Sequence, residues 1–240
     1  MEHAGLSGDM RAELAAVVPC YNAGGRVEPV VQGLLAQLNH VVVVDDGSTD
    51  GGTAPLQALG ASVIRFTENK GKGFAMLAGF RAALAAEGVD GVVIVDADGQ
   101  HDASELSNLW ETFKREDADL VIGTRTFDGK EVPLRSRVGN KFTAAMTRAL
   151  IGVALPDTQS GFRIHSRRFL EEVLGSIRGG RYETEMEIVV IAAKGGYKIA
   201  AAPIRTIYEE GNPSSHFNKF RDSWRVIRKL VGAGLKRKKR

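Results

Sequence analysis

A single cysteine, Cys20, excludes an internal disulfide and, alone, any thiolate-rich metal site in this 240-residue chain. It closes an apolar run, the place of a buried structural thiol. No stretch is long and apolar enough to span a bilayer. The opening MEHAGLSGDMRAE carries acids and has no apolar signal core, so export is not expected. The five histidines, at positions 3, 40, 101, 165 and 216, show no metal-ligand spacing. No serine–histidine or cysteine–histidine nucleophile set is recognisable. NKGKGFA lacks the G-x-x-x-x-G-K-[S/T] spacing of a P-loop and the third glycine of a dinucleotide fingerprint. Its glycines can still bring backbone close to a ligand, and Lys72 can reach a diphosphate; a plain tight turn with solvated lysines is the alternative.

Apolar residues make up 43% of the chain, enough for the core of one large domain. The net charge of +3 is unevenly spread. From Phe217 to Arg240 stand ten of the 32 bases and one acid, Asp222, which leaves 22 bases against 28 acids elsewhere. The segment HFNKFRDSWRVIRKLVGAGLKRKKR spaces Phe217, Phe220, Trp224, Ile227 and Val231 by threes and fours, one apolar stripe among bases. Such a helix either packs on the body or lies on an anionic membrane surface. The acidic body argues against a broad nucleic-acid footprint. The expected division is a flexible arm over 1–13, a catalytic body over 14–215 with halves at 14–125 and 126–215, and a basic helix and tail over 216–240.

Runs such as ELAAVVPC, HVVVVDD, ASVIRF, GVVIVD and ADLVIGTR are apolar throughout and alternate with helical segments, which predicts a mainly parallel α/β sheet covered on both faces. ELAAVVPCYN reads as a short buried strand ending at Pro19, and TAPLQALG as a short helix stopped by Gly60. In such sheets ligands bind beyond the carboxyl ends of the strands. Polar groups stand at four of those ends: Cys20-Tyr21-Asn22, Asp45-Asp46-Gly47-Ser48, Asp96-Ala97-Asp98 and Thr124-Arg125.

Asp96 and Asp98, two residues apart in extended chain, face the same way. They can hold a hard divalent cation that also bridges phosphate oxygens, with Gln100 supplying a neutral oxygen. The alternative is a solvated turn before a helix capped by Asp102 or Ser104. Asp45 or Asp46 can accept hydrogen bonds from a nucleobase or ribose, and the Tyr21 ring can lie against a base. Lys130, Arg135 and Arg137 place cations in a polar loop after Arg125. Glu183, Glu185 and Glu187 suit a helix start and are also candidates for a general base.

In order, VVPCYN, VVVVDDGSTD, NKGKGFA, VDADGQH, GTR, DTQSGFR and YETEMEI resemble family 2 glycosyltransferases of the GT-A fold, in the branch of dolichyl- and polyprenyl-phosphate sugar transferases. The resemblance runs from about Leu14 to Leu230. It implies an inverting transfer from a GDP- or UDP-linked sugar with Mg2+ or Mn2+ as cofactor. Asp96, Asp98 and Gln100 would meet metal and phosphate. Pro19, Tyr21, Asn22, Asp45, Asp46, Lys72, Asp96, Ala97 and Asp98 would line the donor site. Arg125, Arg135, Ser136, Arg137 and Arg163 would lie near the donor diphosphate or the acceptor phosphate. Asp98, Arg125 and Glu185 would be the catalytic set. The acceptor would be a polyprenyl phosphate at the inner membrane face, met by a cytoplasmic, peripheral protein. A hydroxyl of a glycan or glycolipid, or donor binding without turnover, are the alternatives. IYEEGNPSSHFN resembles a loop that closes over the donor. Two departures, Ala23 where the family has an acid and Tyr208 with Ser214-Ser215-His216 around Gly211, leave sugar and nucleotide open.

Overall fold

The computed structural model describes residues 10–125, 148, 157, 160–181 and 183–205. Arg135, Ser136, Arg137, the loop after Thr206 and the whole 216–240 segment lie outside them, as does the Arg125 side chain.

The described elements are β1 (Leu14–Cys20), α1 (Val27–Leu35), β2 (His40–Asp45), β3 (Ser62–Arg65), α2 (Lys72–Leu84), β4 (Gly91–Ile94), α3 (Leu106–Glu116), β5 (Leu120–Arg125), β6 (Arg163–Ser166), α4 (Arg167–Val173), α5 (Glu183–Gly195) and β7 (Ile199–Ile204). The strands form one sheet in the order β3-β2-β1-β4-β6-β5-β7. Every pairing is parallel except those of β6, which runs antiparallel to β4 and β5.

Both sheet faces are buried, and the pleat divides the strands between two cores. Leu14, Ala16, Val18 and Cys20 of β1 join Val27, Val31 and Leu34 of α1 and Leu109 and Trp110 of α3. Ala15 and Val17 face the other way, against Met76 and Phe80 of α2, Phe169 of α4 and Ile188 of α5. Gly79 lets α2 lie directly on β1: a Cβ there would stand 2.2 Å from Val17 Cγ1. Among the described residues no helix is long and apolar enough to cross a membrane.

Three local expectations are corrected. Residues 52–60 form turns, bonded mainly i to i+3 as in Ala54 N–H to Gly51 and Gly60 N–H to Gln57, with Pro55 supplying no donor to extend a helix. Residues 10–13, assigned to a flexible arm, are helical, and Met10 is buried. β1 does not stop at Pro19 but runs one residue further. The Cys20 carbonyl accepts from Asp46 N–H on the β2 side, so the Pro19 peptide faces β4. The β4 ladder has already ended at Val17, and the missing proline N–H costs no ladder bond.

β6 carries two basic side chains at alternate positions, Arg163 and His165, both fully buried or nearly so. Burial, then the Arg163 charge, pushes the His165 pKa down to about 3 against a weak bond to the Val92 carbonyl at 3.4 Å. His165 therefore stays neutral in the fold and packs edge-on against Phe80. Its folded pKa lies below its unfolded value, so stability is unaffected above about pH 6.5 and falls as the unfolded chain takes up a proton the fold refuses. Each pH unit between about 6 and 4 costs up to about 1.4 kcal/mol from this group. A His165→Leu variant should show a flatter acid limb in urea unfolding measured from pH 7 to pH 4; parallel profiles for the two proteins would contradict this assignment.

Candidate active site

The carboxyl ends of β1, β2 and β4 meet where the strand order reverses between β1 and β4, and β4 leaves the sheet at Ile94. That divergence opens a crevice at the expected edge. Lys72, the first residue of α2, projects into it. Its Nζ stands 2.5 Å from Asp96 Oδ1 and 3.1 Å from Glu185 Oε1, and 14% of its side chain is exposed. Burial alone would lower the Lys72 pKa, but the charges of Asp96 and Glu185 outweigh it and hold the ammonium above the ordinary lysine range. Burial would likewise raise Asp96; Lys72, His101 and Arg163 outweigh it and hold this carboxyl below its ordinary value. The pair is ionised as a unit.

Asp98 is different. Burial and the neighbouring Asp96 charge push its pKa up to about 6, while Gln100 N–H, Lys72 and Arg26 pull it down only in part. Gln100 N–H donates to Asp98 Oδ1 at 3.0 Å, which folds 98–100 into a tight turn. The capping alternative also holds, one step later: Asp102 Oδ1 accepts from Ser104 N–H at 2.9 Å. Asp102 thus caps the short turn that leads into α3, and Asp96 and Asp98 take no part in that cap.

The β2 end is more structural than expected. Asp45 Oδ1 accepts from Ser48 N–H at 2.8 Å and Oδ2 from Thr53 Oγ1 at 2.5 Å, with Arg65 Nε 3.8 Å away. Asp46, 2% exposed, accepts from Lys70 N–H at Oδ1 (2.7 Å) and from Gly71 N–H and Asn69 Nδ2 at Oδ2 (both 2.9 Å). Burial raises its pKa, against the bonds from Lys70 and Gly71. Direct base or ribose contact by Asp46 therefore has little room. Tyr21 is 37% exposed at the rim. Asn22, with a left-handed φ of 47°, joins the 48–49 turn through its N–H to Ser48 Oγ (3.0 Å) and its Oδ1 from Thr49 N–H (2.9 Å). Pro19 and Ala97 are buried, so their side chains shape the edge from behind.

Arg163, expected near the donor diphosphate or the acceptor phosphate, lies inward beside Asp96. It is 1% exposed, and its guanidinium donates to the carbonyls of Ser160 (2.8 Å) and Glu185 (3.1 Å). It sits beneath the crevice and holds the first turn of α5, instead of presenting a surface to an acceptor. Glu185 is in place but engaged by Lys72. Of Arg125 the structure gives only the backbone, at the end of β5.

Two contributors were missed in the sequence. Gly161 leaves room for the Asp96 side chain, since a Cβ there would fall 2.0 Å from Asp96 Oδ2. Arg26, on the short turn after β1, is close enough to Asp98 to lower its pKa, and its buried Nε has no hydrogen-bond partner among the described residues. No periodicity marks either one; only the register of β1 against β4 and of β6 against β4 brings them here.

A divalent cation fits this donor set. Asp98 is a half-buried carboxylate short of positive charge, and Asp96, Asp98 and the Gln100 side chain would offer hard oxygen ligands. Among the described residues no group of three or more His, Cys, Asp or Glu gathers to hold a metal, so the glutamine oxygen would have to complete the set.

The family model described as glycosyl transferase family 2 matches residues 15–174. The chain is 31% identical over 215 residues to the UDP-N-acetylglucosamine–dolichyl-phosphate N-acetylglucosaminyltransferase of Methanococcus voltae, covering 81% of this chain and 85% of that protein. It is 32% identical over 201 residues to the polyprenol monophosphomannose synthase of Mycolicibacterium smegmatis, covering 78% and 75%. The crystal structure of Mycobacterium tuberculosis glucosyl-3-phosphoglycerate synthase with Mn2+, uridine diphosphate and phosphoglyceric acid superposes with a TM-score of 0.72 at 21% identity, over 95% of this chain and 81% of that one, and shows the shared fold. The α/β sheet is thus the GT-A fold, and the chain belongs to glycosyl transferase family 2 and is a glycosyltransferase.

Proposed function

We propose that the enzyme moves a sugar from a nucleoside-diphosphate sugar to a polyprenyl phosphate. The observation that carries the donor side is the Asp96–Lys72–Glu185 chain beside an under-compensated Asp98 at the sheet's switch point. A divalent ion held by Asp96, Asp98 and Gln100 would neutralise diphosphate charge as the sugar–phosphate bond breaks. The chain's own groups do the rest. Lys72 brings a fixed ammonium to the leaving diphosphate. Arg26, whose Nε lacks an acceptor among the described residues, has donors for a phosphate oxygen.

The acceptor reading is supported by the relatives named for dolichyl phosphate and polyprenol. It is also supported by the state of Glu185. A hydroxyl acceptor needs a group to take its proton. Glu185 is held on Lys72, whereas a lipid phosphate is already anionic near neutral pH and attacks the anomeric carbon unaided. Glu183, with a buried Oε2 that has no hydrogen-bond partner among the described residues, is the group that favours the hydroxyl alternative. The basic stripe over 216–240 supports a peripheral place on the inner membrane face through its charge pattern alone. UDP is the first nucleotide to try, because the M. voltae relative is named for a UDP-sugar and the structural neighbour holds uridine diphosphate.

The direct assay incubates the protein with MnCl2, a panel of UDP- and GDP-sugars, and undecaprenyl phosphate. A lipid-linked sugar is expected; transfer to a soluble glycan with none to the lipid would reject the acceptor. Arg26→Ala should weaken binding of uridine diphosphate with Mn2+ about tenfold, as for one lost charge-assisted bond, and an unchanged affinity would remove Arg26 from the phosphate site.

Asp98→Asn separates charge from shape. The folded pKa of about 6 lies above the ordinary 3.8, so ionised Asp98 costs the metal-free fold above pH 6 and nothing below about 3.8. Without metal at pH 8 the variant should be more stable by roughly 1–2 kcal/mol. Added Mn2+ should raise the melting temperature of the wild type and not of the variant. Equal Mn2+ stabilisation of both would show that the ion binds elsewhere.

A further inference from the structure

We propose that Asp46 is a positioning residue for Lys72: its carboxylate fixes the backbone of residues 69–71 and so sets where Lys72 enters between Asp96 and Glu185. The inference deepens the donor-site reading above and rests on it for its consequence, not for its geometry.

Asp46 follows the last residue of β2 and is anchored to β1 by its own N–H on the Cys20 carbonyl at 2.8 Å. Its side chain then turns to a segment more than twenty positions away. Three donors from three successive residues converge on it: Asn69 Nδ2, Lys70 N–H and Gly71 N–H. Glycine at 47 allows the approach, because a Cβ there would lie 2.5 Å from the Glu68 carbonyl carbon.

Gly71 is the residue immediately before α2. It holds φ 111° and ψ 150°, a conformation that only glycine adopts without strain, and no side chain caps the helix there. The Asp46 bond to Gly71 N–H is therefore what pins the residue from which Lys72 departs. The other side of the segment rests on the chain just before α5 and on its first turn: Gly73 N–H donates to the Gly180 carbonyl at 2.9 Å, and a Cβ on Gly73 would fall 2.0 Å from Thr184 Oγ1. Thr184 adjoins Glu185, one of the two partners of Lys72. Residues 69–73 are thus clamped between the end of β2 and the start of α5, and Lys72 is the side chain the clamp aims.

Asparagine cannot replace this carboxylate. All three partners are donors, and an amide offers one acceptor atom and one donor. In either orientation its NH2 would face a backbone N–H. The Asp46→Asn variant should therefore release the segment without changing the size of the side chain.

Three measurements test this. Amide exchange at Lys70 and Gly71 should speed up about tenfold or more in Asp46→Asn and stay slow in Lys72→Met. The Lys72 side-chain ammonium signal in 15N-lysine NMR, sharp while it is ion-paired, should broaden in Asp46→Asn. Calorimetric binding of uridine diphosphate and guanosine diphosphate with MnCl2 closes a double-mutant cycle. Asp46→Asn and Lys72→Met should each weaken the nucleotide that binds, and the double variant should be no weaker than Lys72→Met alone. Additive losses, or an unmoved Lys72 signal, would overturn the proposal and leave Asp46 a plain structural residue. If the wild type binds neither nucleotide, the donor reading falls, while the exchange and ammonium signals still decide whether Asp46 places Lys72. Asn69→Ala, which removes one side-chain donor only, gives a milder form of the same release should Asp46→Asn fail to fold.

Discussion

One ammonium organises this molecule's working edge. Lys72 Nζ joins the first residue of α2 to the end of β4 through Asp96 and to the first turn of α5 through Glu185. A charge so nearly out of water is tolerable only when it is paired, and removing one partner leaves the others costly. The surrounding sequence conforms to that need. Gly161 stands aside for Asp96, Gly73 for Thr184, and Gly71 adopts a backbone that a side chain would strain. These glycines share no helical or strand period; they follow from three segments closing on one nitrogen.

The same constraint reaches into the sheet through β6. Its reversed direction sets Arg163 opposite Ile94 and Ile122, at the end where β4 releases Asp96. Arg163 and His165 lie on the same side of the strand, and two buried cations there would repel. The conflict is settled in favour of arginine, which cannot readily lose its proton and finds the carbonyls of Ser160 and Glu185. Histidine gives up its charge. The surviving guanidinium lowers Asp96 and supports the backbone of Glu185, so it steadies both partners of Lys72 from below.

Parts of this are legible in the amino-acid sequence. The apolar runs of β1, β2, β4 and β5 announced a parallel sheet because strands buried on both faces leave no polar alternation. The polar strand ends named the edge, and Asp96, Asp98, Lys72 and Glu185 do meet there or beside it. What sequence could not give was the direction of a strand or the count of lone pairs. RIHS reads as a strand either way round, and only its pairing shows that Arg163 is buried beneath the crevice. Asp45 and Asp46 look equivalent in DDGS, yet one holds its own turn and the other a distant loop. TAPLQALG carries helical spacing, but eight residues with an internal proline form only turns. Arg26 had no periodic or motif signal at all.

The charge pattern of the whole chain bears on how the proposed donor diphosphate would be held. Residues before Phe217 carry six more acids than bases, a balance that repels polyphosphates. Beyond about 10 Å that repulsion is screened, so it weakens approach more than it decides binding. Attraction has to be built locally, from fixed groups. At the crevice two such groups remain poorly matched within the protein: Asp98, short of positive charge, and the Arg26 Nε, which lacks an acceptor among the described residues. They influence each other without forming an ion pair. A ligand of one sign would satisfy one and worsen the other. A cation bound together with phosphate oxygens satisfies both, and this is the physical reason to expect the metal and the diphosphate to bind as one unit at this edge.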